Sequence, residues 1–165
     1  MSAQFYIDNL HLQPHPEGGY FKENYRSKEI LTIDGLPQRF SGDRNISTAI
    51  YYLLKQGDYS GFHKIKSDEC WHFYAGSTML LHMIDAMGKY SCIHLGKELN
   101  QGEVFQFVVP AGTWFASEPA RNTEFCLMGC TVAPGFDFQD FEMAKSAALS
   151  KLFPEHSSII ERLCR

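Results

Sequence analysis

From Ile46 onward, apolar and polar positions alternate in short runs. Residues 46–54, 59–65, 69–75, 78–84, 90–95, 104–109, 113–117 and 123–132 each read as a strand, because successive strand side chains point to opposite faces. Turn signals separate them: Gln56-Gly57-Asp58, Ser67-Asp68, Ala75-Gly76, Met87-Gly88, Gln101-Gly102 and Pro110-Ala111-Gly112. Short strands at this spacing predict an all-β sandwich or barrel. Upstream, residues 3–11 predict a short helix with Phe5, Ile7 and Leu10 on its apolar side. The turn Pro14-His15-Pro16-Glu17-Gly18-Gly19 ends it, and a strand runs from Tyr20 to Ser27. A polar loop through Asp34, Gly35, Pro37 and Gly42 is long enough to be mobile or to cover something. After Pro134-Gly135 the period changes. Leu149, Leu152 and Phe153 stand at helical spacing, Pro154 stops that helix, and Ile159, Ile160 and Leu163 share one face of a last one. The chain therefore reads as one domain over 1–165. Its barrel spans about 20–133 and its helical appendage about 139–165.

The same alternation assigns faces. Lys64 and Lys66 prefer water, so His63 and Ile65 point inward. In the next strand Glu69, Trp71 and Phe73 share a face, with Asp68, Cys70 and His72 opposite. An inward His63 beside an inward Glu69 makes either a general acid/base pair or half of a metal site. His72 is not combined with them. The candidate pocket wall is Tyr52, Trp71, Gln106, Trp114 and Phe115, with Glu17 either capping its own turn or reaching the pocket mouth. Such a wall suits a small polar ligand with apolar faces, for example a sugar or nucleotide sugar. The same aromatics also serve to fill a small barrel. Arg26 and Arg121 are candidates for holding an anionic group. Asp137 and Asp140 read as anchors where the barrel meets the helices, and His82 and His94 as either extra ligands or ordinary strand histidines.

Composition narrows the class. Fifteen Lys and Arg against 19 Asp and Glu, with no basic run, exclude an extended nucleic-acid footprint. Five cysteines without C-x-x-C spacing read as buried reduced thiols. The first residues lack a basic segment followed by an apolar core, and no apolar run approaches the ~20 residues that cross a bilayer. The expected address is cytoplasmic, with no membrane partner.

His63, Ile65, Glu69 and Gly76 fall at the H, H, E and G positions of the first cupin motif, G-x5-H-x-H-x3,4-E-x6-G. Pro110, Ala111, Gly112, Thr113, Trp114 and Phe115 fit the end of the second, P-x-G-x-x-H. With Pro14–Gly19, Ser67–His72 and Val132–Phe138, the chain resembles a family of small single-domain cupins. The resemblance implies a double-stranded β-helix, or jelly roll, usually a homodimer. That fold is similar to the fold of seed-storage proteins and of an epimerase acting on dTDP-linked deoxysugars. Metal cupins use three His and one Glu. Here Ile65 and Phe115 stand at two of those four positions, so no cofactor is expected, a divalent metal on His63 and Glu69 being the alternative. The leading expectation is a metal-independent isomerase- or epimerase-like enzyme binding a carbohydrate derivative. His63 would be its base, and Glu69 would orient it or act as acid. The rivals are a metal-dependent dioxygenase or isomerase, and a non-catalytic ligand-binding or storage-like protein.

Overall fold

The computed structural model describes residues 1–164. Two antiparallel sheets face each other across one apolar core. The first has six strands in the order β1 (Gln13–Pro14), β2 (Tyr20–Arg26), β5 (Thr48–Lys55), β12 (Phe125–Ala133), β7 (Asp68–Gly76) and β10 (Gln106–Val109). The second has five in the order β13 (Glu142–Met143), β6 (Ser60–Lys64), β11 (Trp114–Pro119), β8 (Met79–Ile84) and β9 (Tyr90–Leu95). This architecture is a jelly roll. The strand β12 is central to the first sheet and apolar on both faces. Cys126, Met128 and Cys130 point into the barrel, and Leu127 points out under the first helix.

That helix, α1 (Ala3–Leu10), is N-capped by Ser2, whose hydroxyl accepts from the Phe5 amide at 3.2 Å. Its Ala3 and Ile7 cover Leu53, Phe125 and Leu127 on the outer face of the first sheet. On the outer face of the second sheet, α2 (Ser146–Leu152) and α3 (Ser157–Leu163) bury Leu149, Ile160 and Leu163 against Phe62, Ile84 and Ala116. Leu152, which shares the helical spacing of Leu149, is exposed. The pair is pinned by Arg162, which donates to both oxygens of Glu118 at 2.6 and 2.8 Å.

The polar loop expected through Asp34, Gly35, Pro37 and Gly42 is tied down. It folds through the two-stranded β3 (Ile30–Leu31) and β4 (Arg44–Asn45). Arg39 donates Nε–H to the Lys66 carbonyl at 2.6 Å, and buried Phe40 lies beneath the Arg39 and Arg44 guanidinium groups. Arg44 makes a buried two-pronged ion pair with Asp140, with both N···O distances at 2.6 Å. A strap of residues 134–141 after β12 is thereby fixed over one end of the barrel. All five cysteines are free, and none of the described helices is long and apolar enough to cross a membrane.

Candidate functional site

Under the strap lies a cavity of about 310 Å³. Its polar floor comes from His63 on β6, Glu69 on β7 and Glu17 and His15 from the turn before β2. Its apolar wall includes Phe21, Ile65, Phe136, Phe138 and Phe141. The strands supply inward side chains by alternation; the turn and strap supply theirs by loop geometry.

The turn explains Glu17. His15 N–H donates to the Gly19 carbonyl, Gly61 N–H to the Glu17 carbonyl, and the Tyr52 hydroxyl to the Gly18 carbonyl at 2.7 Å. Gly19 sits at φ +70, and a Cβ there would stand 2.6 Å from the Leu53 carbonyl oxygen. No side chain fits so close to backbone. Gly19→Ala is expected to cost about 2 kcal/mol or more in chemical denaturation and to loosen Glu17. A loss of under about 0.5 kcal/mol would show that the turn gives way easily.

So held, Glu17 places Oε2 3.1 Å from His63 Nε2, and Oε1 3.5 Å from His15 Nδ1. His63 donates its Nδ1–H to the Gly61 carbonyl at 2.7 Å, because a carbonyl can only accept. With Nδ1 as its donor, neutral His63 leaves Nε2 as a proton acceptor turned toward the Glu17 carboxyl group. Burial lowers the His63 pKa, with the Gly61 hydrogen bond and Glu69 acting the other way. Burial, and then His63, push His15 down to about 4. Burial drives Glu69 up to about 7, opposed by His63, raised further by Glu17, and lowered by the Cys130 thiol that hydrogen-bonds it. A buried carboxyl that titrates near neutrality, beside an imidazole of fixed tautomer, can both give and take a proton.

The donor set does not fit the three-His, one-Glu metal site. Ile65 lines the cavity as hydrocarbon, and Phe115 packs its ring 4.0 Å from the His63 ring. His63 Nε2 already faces Glu17. Among the described residues no three His, Cys, Asp or Glu side chains converge as ligands. His82 lies beneath α3, bonded to Tyr90 at 2.7 Å and Glu118 at 3.1 Å, and His94 is exposed.

Of the residues expected at the pocket, His63, Glu69 and Glu17 meet there and five others do not. Trp71 and Tyr52 point inward but lie deeper, packed edge to face at 5.7 Å in the core. Phe115 is core and backs His63. Trp114 has the opposite parity and packs outside the barrel, with the Lys64 ammonium 4.4 Å above its ring. Gln106 is on the outer face, bonded to His72 at 2.9 Å. Arg26 reaches the cavity wall, whereas Arg121 is exposed and does not line it. Sequence reasoning did not place His15, Phe21, Cys130 or the strap phenylalanines in the pocket. The spacing Phe136-x-Phe138-x-x-Phe141 was the available signal for the strap.

A jelly roll with one end open onto a His- and Glu-lined cavity defines a cupin-type barrel. The chain belongs to the cupin superfamily family DUF985, whose model matches residues 4–144. An uncharacterised protein of Saccharomyces cerevisiae is 35% identical over 153 residues, covering 87% of this chain and 76% of that protein. A hypothetical protein from Leishmania major superposes with a TM-score of 0.90 at 33% identity, over 99% of both chains. A Shewanella oneidensis protein superposes with a TM-score of 0.88 at 36% identity, over 100% of this chain and 98% of that one. Oxalate decarboxylase from Bacillus subtilis, at 16% identity and a TM-score of 0.55, covers 91% of this chain and 36% of its own, a likeness of fold alone.

Proposed function

We propose that the protein binds a small carbohydrate derivative in the barrel cavity and isomerises or epimerises it without a metal, by moving a proton. One observation carries this reading: His63 and a near-neutral Glu69 converge on a cavity walled on one side by phenyl and aliphatic side chains. In the proposed step a C–H next to a carbonyl gives its proton to His63 Nε2. The electron pair moves to the carbonyl oxygen, which takes a proton from the Glu69 carboxylic acid. On collapse a hydroxyl proton of the enol returns to Glu69 and His63 delivers its proton to carbon, at the neighbouring position for isomerisation or, after the enol has turned over in the cavity, to the opposite face of the same carbon for epimerisation. Glu17 holds the imidazole in register, and the phenyl wall keeps water off the enol. The cavity volume lies at the lower end of the ~300–1,000 Å³ usual for small-molecule sites, which suits one sugar ring.

The test is proton NMR of a panel of aldoses, ketoses and their phosphates with the protein in deuterium oxide. Wild type is expected to exchange a carbon-bound proton of at least one, and His63→Asn to slow that exchange by about a hundredfold or more while the protein still folds. Equal exchange in wild type and variant would remove His63 from the chemistry. Binding without exchange would favour a ligand-binding protein instead.

A further inference from the structure

Among the described residues lining the cavity, four carboxylates, Glu17, Glu23, Glu69 and Asp137, stand against one permanent cation, Arg26. Arg26 is already committed. It donates to both Glu23 oxygens at 2.9 and 2.7 Å, to Asn45 Oδ1 at 2.8 Å and to the Phe136 carbonyl at 3.1 Å. An entering phosphate or carboxylate would meet no uncommitted guanidinium. Glu23 is matched by Arg26, and Glu17 faces two imidazoles. Asp137 is left without an ion pair among the described residues, its Oδ1 accepting the Gln139 N–H at 2.8 Å. Glu69 is only 8% exposed, and among the described residues no Lys or Arg pairs with it. The strap adds a second, independent feature. Phe136, Phe138 and Phe141 stand mutually edge-on, with ring centroids 5.0, 6.2 and 6.1 Å apart and interplanar angles of 80°, 69° and 77°. Rings set near right angles make a corner, and phenyl faces attract cations. Phe138 is 60% exposed at this corner, so folding alone does not account for it.

We infer that the cavity takes a ligand carrying an ammonium group, seated in the Phe136, Phe138 and Phe141 corner and balanced by Asp137, with Glu69 kept as the acid. The inference rests on the reading that a small polar molecule enters this cavity, and it narrows the carbohydrate class to amino sugars. It also argues against a nucleotide sugar with its diphosphate inside.

The experiment is titration of the whole protein, followed by NMR shifts and calorimetry. One probe series is D-glucosamine, D-glucose and D-glucose 6-phosphate; the other is choline and glycerol 3-phosphate. The ammonium member of each series is expected to bind about tenfold more tightly than its neutral or anionic relative, with shifts at the strap phenylalanines. Phe138→Ala, at an exposed position, is expected to erase most of that preference while leaving the melting temperature unchanged. Glucose or glucose 6-phosphate binding at least as tightly as glucosamine overturns the inference and leaves the carbohydrate reading intact. Choline binding without any sugar keeps the inference and removes the carbohydrate reading. No binding in either series removes both.

Discussion

Replacing Arg44 by alanine is expected to destabilise the protein by about 3–5 kcal/mol, since it strands a buried carboxylate without its cation. Both side chains of the Arg44–Asp140 pair are 3% exposed, and both prongs are 2.6 Å. Desolvation makes such a pair weakly stabilising as a whole but costly to half-remove. Among the described residues the other cation paired with Asp140 is Lys66, 3.5 Å away and 35% exposed, which is too hydrated to substitute. The loss also has an address. The pair joins β4 to the strap, which among the described residues is also held by hydrogen bonds from Gly135 N–H to the Asn45 carbonyl, Phe136 N–H to Thr48 Oγ1 and Arg26 to the Phe136 carbonyl. The cavity wall should therefore loosen before the barrel melts, and ligand binding should fall further than global stability. Urea denaturation of Arg44→Ala, and of the double variant Arg44→Met with Asp140→Leu, separates the two costs. The double variant is expected to recover most of the stability, because it leaves no charge buried. An Arg44→Ala loss below about 1 kcal/mol would mean that the pair is hydrated in solution.

The sheet pattern was legible because alternation is local. Lys64 and Lys66 flank His63 and Ile65, and that was enough to turn the imidazole inward. The same rule put Glu69 and Trp71 on one face, correctly, but parity says nothing about depth. Two residues along β7 take the chain from the cavity floor at Glu69 into closed core at Trp71. Parity should have excluded one of Trp114 and Phe115 at once, since adjacent strand residues cannot both face inward. The strap was harder to read. Its three phenylalanines have no regular period, and what holds them over the barrel is an ion pair between residues far apart in sequence. His15 lacked an account for the same reason. It packs edge-on against Phe21 at 4.5 Å and accepts from the Glu17 amide at 3.3 Å, contacts that exist only once the turn has closed on β2.

The buried titratable groups predict an unusual pH profile. Glu69 is raised from 4.5 to about 7, so the folded state holds a proton that the unfolded chain has released. Its contribution is fully present below about pH 4.5 and is lost as pH rises through about 7, about 3 kcal/mol in all. His15 runs the other way. It is lowered from 6.5 to about 4, so its contribution is present above about pH 6.5 and is lost as pH falls through about 4, again about 3 kcal/mol. Between pH 4.5 and 6.5 the two slopes oppose each other and nearly cancel, leaving the acid losses from His63 and His82, which burial also lowers. Wild-type stability should therefore fall toward acid across that window by less than His15 alone would give. Glu69→Gln removes one side of the balance. The variant should be about 3 kcal/mol more stable than wild type at pH 8, indistinguishable from it at pH 4.5, and clearly acid-labile in between. His15→Gln should do the reverse, gaining stability as pH falls. The measurement is urea denaturation of the three proteins from pH 4.5 to pH 8. Parallel profiles would mean that neither group is buried as deeply in solution as its place under the strap requires. Opposite slopes would show that the floor of the cavity holds its carboxyl proton at neutral pH, the condition for Glu69 to act as an acid there.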